Sequence, residues 1–296
     1  MTNLDFDRRF DARPGVAEQV SPLIRRVLCG NASPFTFTGT SSFIVGHGEV
    51  AIIDPGPLDE SHLAALLHAV RGESVSHILV THSHADHSPL AARLRQATGA
   101  KTVGYGQVAA DHGSAVRLDA GVDHLFNPDL RMGHGDVLTG KGWTIEAVFT
   151  PGHMSNHLCF ALAAEKTLFA GDHVMAWATS VIAPPDGNMA HYMASLRLLL
   201  ERDDELYLPA HGPGRHDPKP LVRGYIAHRR MREAAILARI RGGENTIAGL
   251  VAAIYADVDR KLHGAAALST RAHLDHLIEQ GLVRRQAEHY EAVDRG

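Results

Sequence analysis

The chain reads Thr81-His82-Ser83-His84-Ala85-Asp86-His87 between a short apolar run, which predicts a buried strand, and a predicted helix that Ser88 caps. Side chains two residues apart point to the same side of an extended chain, so we expect His82 and His84 to face one point together. Asp86 and His87 follow where the chain turns into the helix, which lets them face a second point beside the first. Imidazole and carboxylate groups at this density predict a centre that holds divalent metal ions.

Three later strand ends each carry one more candidate ligand next to a glycine. They read Gly152-His153, Gly171-Asp172 and His211-Gly212. Each of these turns alone is typical of an ordinary loop. In this order after the histidine-rich stretch, the three turns strengthen the prediction of a metal centre.

Together the four motifs resemble those of the metallo-β-lactamase superfamily over about residues 20–220, with the HxHxDH motif of that family at residues 82–87. The resemblance implies an α/β fold, an αββα sandwich with the metals at one edge. Strand and helix patterns that alternate from residue 36 to about residue 212 agree with such layers. The resemblance also implies two sets of ligands, which are His82, His84 and His153 for one ion and Asp86, His87 and His211 for the other, with Asp172 bridging them.

The same resemblance implies a hydrolase in which a hydroxide that bridges the two ions attacks the substrate. Asp172 is expected to hold the ions in register and Asp86 to orient the hydroxide, so these two carboxylates are the candidate catalytic residues. Histidine and carboxylate ligands suit Zn²⁺, and iron or manganese are the alternatives.

Two more side chains are candidates for supporting the ligands from behind. Asp54, in Ile52-Ile53-Asp54-Pro55-Gly56, matches the IDxG turn of the superfamily, and the alternative is a turn residue that ends a strand. His157 follows His153 closely. A histidine that begins a strand and makes one ordinary hydrogen bond explains the position of His157 equally well.

The pattern of the chain changes after Pro220. Residues 221–241, 246–256 and 269–280 have helical patterns, and two short β-like runs follow, which is the element order of a small winged helix. Residues 1–218 have 16 Lys+Arg and 24 Asp+Glu, a net −8, whereas residues 219–296 have 13 and 9, a net +4. We therefore expect a catalytic domain at residues 1–218 and a winged-helix-like domain at residues 219–296.

A narrower resemblance concerns the β-lactamase-like protein 2 group, whose members append a winged-helix-like domain and include endoribonucleases specific for single strands. It rests on Gly39-Thr40-Ser41-Ser42, where the group has Asn-Thr in place of Ser41-Ser42, and on the stretch from Tyr225 to Glu233. On the first helix of the C-terminal domain, His228, Arg229 and Arg232 are candidates for binding an anionic substrate. The alternative is a solvated basic helix face.

Two main functions follow for such a hydrolase. The first is cleavage of single-stranded RNA, which the group resemblance and the +4 domain favour, although the chain is acidic overall and only 6% aromatic. The second is hydrolysis of a thioester or another small-molecule ester, as in the glyoxalase II branch, which shares all seven ligand types. A non-haem iron oxidoreductase and a DNA-binding regulator that reads DNA with residues 269–280 are weaker alternatives.

Composition limits the partners of the chain. A net charge of −4 and a pI of about 6.6 do not favour a surface that coats nucleic acid or an anionic membrane. The first residues lack the apolar segment of a secretory signal, and no run approaches the roughly 18 apolar residues of a spanning helix. Cys29 and Cys159 lie far apart, so no disulfide framework is expected. We expect a cytoplasmic protein without a membrane partner, and a homodimer is a further candidate.

Overall fold

Two β-sheets lie face to face in the computed structural model, which describes residues 4–108, 121–256 and 259–293. In spatial order, the first sheet consists of β1 (Ala17–Ser21), β2 (Ile24–Leu28), β3 (Ser41–His47), β4 (Glu49–Ile53), β5 (Ser74–Leu79), β6 (Lys101–Gly104) and β7 (Leu130–Arg131). The second consists of β8 (Val137–Gly140), β9 (Trp143–Phe149), β10 (Leu158–Leu162), β11 (Thr167–Gly171), β12 (Leu206–Pro209) and β13 (Arg215–His216). Strands β4 to β7 are parallel, as are β11 and β12. The carboxyl ends of parallel neighbours meet at one edge of a sheet.

Strand β3 shows how the period of two sorts side chains between the layers. Phe43 and Val45 join a core cluster with Phe160 of the second sheet, so they lie between the sheets. Ile44 joins a different cluster, on the outer face of the first sheet. Burying one such side chain completely stabilises the fold by about 1.5–3 kcal/mol. Both faces of the first sheet are therefore part of the core.

Four helices cover the outer faces of the two sheets. Helices α1 (Glu60–Ala69) and α2 (Leu90–Thr98) pack Leu66 and Leu94 against the first sheet. Helix α3 (Met189–Glu201) and the first half of α4 (Pro218–Arg241) pack against the second sheet. The predicted αββα sandwich is thereby confirmed.

The C-terminal part has its own hydrophobic core. It contains α5 (Ile247–Ile254), α6 (His263–Glu279), β14 (Val283–Gln286) and β15 (His289–Ala292), and the last two strands form an antiparallel hairpin. Ile236 and Ile240 of α4 pack with Leu274 and Tyr290 in this core. The order of two helices and a hairpin after α4 is that of the expected winged helix.

Helix α4 contributes to both cores. Leu221 and Tyr225 pack in the cluster behind the second sheet, while Ile236 and Ile240 pack in the C-terminal cluster. The expected boundary between residues 218 and 219 falls in the first turn of this helix, and it stays a prediction.

Two local predictions are wrong. Helix α6 begins at His263 and not at Ser269, because the alanines and the leucine at residues 265–268 are strong helix formers that extend it towards the N-terminus. Ser88 does not cap α2, because its hydroxyl donates to Asp123 Oδ2 at 2.8 Å, a charged acceptor.

Two expectations about the rest of the chain can be compared with the described residues. Cys29 and Cys159 are buried and free. Among the described helices, none combines the length and the apolar character needed to span a bilayer.

Candidate metal centre

The seven candidate ligands meet at one edge of the sandwich, where strands β5, β9, β11 and β12 end. Their ligand atoms form two groups, and within each group all atoms lie within 4.8 Å of one another. The first group contains His82, His84, His153 and Asp172, and the second contains Asp86, His87 and His211. The fold thus brings together the same side chains that the sequence motifs single out.

The first group is spaced like the ligands of one ion. His84 Nδ1 lies 3.0 Å from His82 Nε2 and 3.1 Å from His153 Nε2. His153 Nε2 lies 3.6 Å from Asp172 Oδ2. Ligand atoms bound about 2.1 Å from a tetrahedral ion are about 3.4 Å from one another, which agrees with these distances.

The second group has similar spacing and shares Asp172 with the first. His211 Nε2 lies 3.2 Å from Asp86 Oδ2 and 3.3 Å from Asp172 Oδ1. His87 Nε2 lies 3.6 Å from each of the same two oxygens. Asp172 therefore presents Oδ2 to the first group and Oδ1 to the second, as a bridging carboxylate must.

Hydrogen bonds on the far side of the imidazoles orient four of the five histidines. The four contacts are His82 Nδ1 with Thr81 Oγ1 at 3.0 Å, His87 Nδ1 with Asp54 Oδ2 at 3.0 Å, His153 Nδ1 with Val181 O at 2.6 Å, and His211 Nδ1 with Gly39 O at 3.2 Å. An N–H that donates at Nδ1 leaves the lone pair at Nε2. In metal-binding histidines, one ring nitrogen binds the ion and the other usually donates to an oxygen, which agrees with these contacts.

Asp54 connects two parts of the site from behind the ligands. Its Oδ1 accepts from Thr81 N at 2.8 Å, and its Oδ2 accepts from Thr81 Oγ1 at 2.7 Å and from His87 Nδ1. The residue has a φ of 49°, a left-handed conformation that aspartate tolerates better than most residues. Asp54 thereby holds both the start of the histidine-rich stretch and the ring of His87.

His157 contacts the backbone of a ligand. It is fully buried, its Nδ1 lies 2.9 Å from Thr150 Oγ1, and its Nε2 accepts from Asp172 N at 3.3 Å. A Cβ atom at Gly171 would lie 2.6 Å from His157 Nε2, so only glycine fits directly before Asp172. The glycine beside the ligand is required by this close approach.

Burial and the charges of the carboxylates set the protonation of the candidate ligands, and the carboxylates prevail in the second group. Burial lowers the pKa of His84 to about 3, so this imidazole is neutral and available as a ligand. Burial opposes the charged form of His211, but the carboxylates of Asp172 and Asp86 outweigh it and raise the pKa of His211 to about 10. Burial likewise opposes ionisation of Asp172, yet His211 and His87 hold the pKa of that carboxyl well below its usual range. The two carboxylates need nearby positive charge, which protons or a divalent ion can supply.

The described residues fit two divalent ions. Asp86 Oδ1 and Asp172 Oδ1 are buried and make no hydrogen bond within the described part of the chain. Buried carboxylate oxygens without a hydrogen-bond donor are costly, and an ion removes that cost. The donor set of imidazole and carboxylate suits zinc and other first-row metals, so the centre could hold them.

Comparison with known families identifies both parts of the chain. The sequence profile of the "Metallo-beta-lactamase superfamily" matches residues 35–211, more than half of the chain. This protein belongs to the metallo-β-lactamase superfamily. The profile of the "Beta-lactamase associated winged helix domain" matches residues 246–291, which include α5, α6 and all of the hairpin except its last residue. The chain therefore combines the superfamily domain with an appended winged helix, and the expected family and the expected C-terminal domain type are confirmed.

Curated relatives of this superfamily member include lactamase-like proteins and thioesterases. A lactamase-like protein, nscB, of Neosartorya fischeri is 34% identical over 74% of this chain and 62% of its own length. An atrochrysone carboxyl ACP thioesterase of Paecilomyces divaricatus is 31% identical over 83% of this chain and 74% of its own length. The chain spans 62–65% of the length of the first four curated relatives that it matches.

Solved structures of the superfamily share the fold across nearly the whole chain. A metallo-beta-lactamase family protein of Thermus thermophilus has a TM-score of 0.77 at 22% identity, and covers 93% of this chain and 100% of its own. A beta-lactamase domain protein of Burkholderia ambifaria has a TM-score of 0.79 at 21% identity, with 96% of each chain covered. At these identities the likeness concerns the fold alone.

The candidate substrate residues on α4 of this superfamily member already contact protein groups. Arg229 is only 3% exposed, donates from Nη2 to Ser180 O, and lies 5.2 Å above the ring of Tyr192. Arg232 contacts Ile254 O at 3.4 Å and lies 4.3 Å above the ring of Tyr255. His228 is half-buried, and burial lowers its pKa to about 4, so it is neutral at neutral pH. The role of these three residues in substrate binding stays a prediction. For Arg229, its buried contacts also offer a structural reason for an arginine at this position.

Ser180 is a residue of the site that the sequence motifs do not indicate. Its hydroxyl contacts Asp172 O at 2.5 Å and His173 O at 2.9 Å, and its carbonyl accepts from Arg229. It therefore fixes the segment that follows the bridging ligand. A serine eight residues after Asp172 carries no local signal, because the loop that folds back between them has no periodic pattern.

Proposed function

We propose that this protein hydrolyses acyl thioesters, including those of acyl carrier proteins. The observation that carries the proposal is the likeness to atrochrysone carboxyl ACP thioesterases, at 31% identity over 83% of the chain in Paecilomyces divaricatus and 29% over 81% in Claviceps purpurea. Thioester hydrolysis is the second of the two main functions expected from the sequence.

In this proposal the ligand residues hold two divalent ions, for which Zn²⁺ is the first choice and iron or manganese the alternatives. Bound ions supply an acidic water and polarise the substrate carbonyl. Asp86 Oδ1, which makes no hydrogen bond to the described residues, accepts a proton from the attacking water and orients it. Asp172 fixes the two groups of ligands relative to each other.

The reaction suits a site built in this way. The water oxygen bonds to the carbonyl carbon, the C–S bond breaks, and the sulfur leaves with the bonding electron pair. A thiol with a pKa of about 8.5 leaves as its anion near neutral pH, so the site needs no strong general acid. A phosphodiester of RNA has a more basic leaving oxygen and requires more help.

Three other functions have less support in the described residues. For RNA cleavage, Arg229 and Arg232 contact Ser180 and Tyr255 in place of an open basic groove. For DNA binding, Arg271 of α6 is paired with Asp275 at 3.0 Å, which leaves little positive charge for bases. An iron oxidoreductase has less support because the second group of ligands is complete, which favours two hydrolytic ions. Cytoplasmic location and a homodimer stay predictions that these residues do not address.

The test compares thioesters with RNA on the same preparations. Full-length wild-type protein, His84→Ala and His134→Ala are loaded with Zn²⁺, and thiol release from acyl-CoA is measured beside cleavage of labelled single-stranded RNA. His134 lies exposed in a turn, so its variant is the matched control. We expect thiol release by wild type and His134→Ala and its loss, by at least about 10³-fold, in His84→Ala, because the activated water disappears with the metal. RNA cleavage without thiol release would replace the proposal with the ribonuclease hypothesis.

A further inference from the structure

Two aromatic side chains stack beside the second group of ligands. The rings of Phe37 and Trp177 are 4.8 Å apart with an interplanar angle of 20°, and both side chains are half-buried. A Cβ atom at Gly212 would lie 2.7 Å from Trp177 Cδ1 and 3.5 Å from Phe37 Cδ1. Gly212 directly follows His211, so the stacked pair forms a partly exposed wall next to a candidate ligand.

Hydrogen bonds hold the loop that carries Phe37 and connect it to the same ligand. Thr36 Oγ1 donates to Asn31 O at 2.6 Å, and Asn31 Oδ1 accepts from Thr40 N at 2.8 Å. Gly39 O accepts from His211 Nδ1 at 3.2 Å, which fixes the loop relative to the metal centre. The position of the aromatic wall is therefore set by the same contacts that orient His211.

Phe37 has a strained backbone within this loop. Its φ is 57°, in the left-handed region, which is strained for a bulky residue that lacks glycine's freedom. Glycine would adopt this conformation without strain, whereas the aromatic side chain that occupies the position stays half-exposed. Strain of this kind at the edge of a site indicates that the ring is needed where it lies.

The two tryptophans of the chain differ in a way that also indicates a function for Trp177. Trp143 is 3% exposed, lies in the core between the sheets, and donates from Nε1 to Glu49 O at 3.1 Å. Trp177 is half-buried, and its Nε1 makes no hydrogen bond within the described part of the chain. A structural tryptophan normally has its N–H paired, so packing alone does not explain Trp177.

We propose that Phe37 and Trp177 form a platform for the acyl group of the substrate and that this acyl group is flat and aromatic. The inference rests on the proposed thioesterase function and specifies its substrate class. A planar ring laid on the pair gains offset stacking in addition to area burial, whereas a saturated chain gains area burial alone. The platform therefore selects aryl over alkyl thioesters.

Selectivity is measured with benzoyl-CoA and hexanoyl-CoA on Zn²⁺-loaded protein. The variants are Phe37→Leu, Trp177→Leu and, as the matched control, Phe10→Leu, a half-buried ring that packs on Arg26. We expect the aryl-to-alkyl ratio of kcat/KM to fall roughly 2- to 10-fold in the first two variants, mainly through KM for benzoyl-CoA. Phe10→Leu keeps the wild-type ratio. Equal losses of kcat/KM for both thioesters in the platform variants would overturn the inference. The ratio is used because it does not depend on the amount of folded enzyme.

Tryptophan fluorescence tests the platform without turnover. Benzoate, the product, is titrated into wild type, Trp177→Phe and Phe37→Leu, with hexanoate as the matched ligand. We expect a saturable change in emission with benzoate, its disappearance in Trp177→Phe, and a weaker apparent affinity in Phe37→Leu. If the wild type hydrolyses neither thioester, the proposed function fails and this titration alone decides the inference. An emission that benzoate and hexanoate change equally, or not at all, contradicts the platform.

Discussion

Asp54 supports two neighbours at once through its two carboxylate oxygens. Oδ1 and Oδ2 together bind the amide and the hydroxyl of Thr81, and Oδ2 also accepts from His87. The chain contains a similar aspartate far from the ligand groups, because Asp129 Oδ2 accepts from Thr102 N at 2.9 Å and from Thr102 Oγ1 at 3.0 Å. The two residues differ in that Asp54 alone touches a candidate ligand.

Asp54→Asn is expected to weaken metal binding. An amide nitrogen cannot accept from both Thr81 and His87, so the ring of His87 loses its orientation, and such losses reduce metal affinity about 10- to 100-fold. Zn²⁺ affinity is measured by competition with a chromophoric chelator. Asp129→Asn is the control, and we expect it to lower stability while Zn²⁺ affinity stays at the wild-type value. Equal Zn²⁺ affinity in both variants would contradict the role of Asp54.

At the scale of elements, the strands and their order along the chain could be predicted from the sequence. The contacts of the segments that connect them could not. β5, β9, β11 and β12 follow from short apolar runs, and the segments just after them carry the candidate ligands. The start of α6 was missed because Ser269 has the chemistry of a cap but lies within a helix-forming stretch. Ser88 and Ser180 depend on Asp123, Asp172 and Arg229, residues distant along the chain, which no local pattern reports.

Helix α4 supports the segment after Asp172 through Arg229. A substitution of Arg229 distinguishes a role in stability from a role in substrate binding. Arg229→Ala leaves the carbonyl of Ser180 without its donor, which costs about 1–3 kcal/mol of folding free energy. The adjacent Arg230 is exposed, so Arg230→Ala is expected to change stability by less than about 0.5 kcal/mol. Urea unfolding measures both. If Arg229 binds substrate and does not support the fold, stability will be unchanged and KM alone will rise.

At the scale of the whole molecule, buried neutral histidines couple folding to pH. Burial lowers the pKa of His62 in α1, His228 in α4 and His273 in α6 to about 4. Unfolded histidine has a pKa of about 6.5, so between about pH 6.5 and 4 the unfolded chain binds more protons than the folded chain. Stability from these groups is therefore complete above about pH 6.5 and is lost as the pH falls towards about 4.

His273 gives the pH effect a test that is independent of the metal centre. Its Nδ1 lies 3.3 Å from Glu233 Oε1, and His276 Nδ1 lies 2.7 Å from the same oxygen. The carboxylate of Glu233 in α4 thus links that helix to both histidines of α6. Urea unfolding of metal-free protein at about pH 7.5, 6.0 and 5.0 should show a falling free energy. His273→Gln keeps a donor to Glu233 but cannot titrate, and its slope is expected to be shallower by up to about 1.4 kcal/mol per pH unit. His68→Gln, which changes an exposed histidine of α1, should keep the wild-type slope. A wild-type slope in His273→Gln would mean that this histidine does not couple the C-terminal unit to pH, and that other buried histidines with a lowered pKa, such as His62, His173 and His228, carry the acid sensitivity.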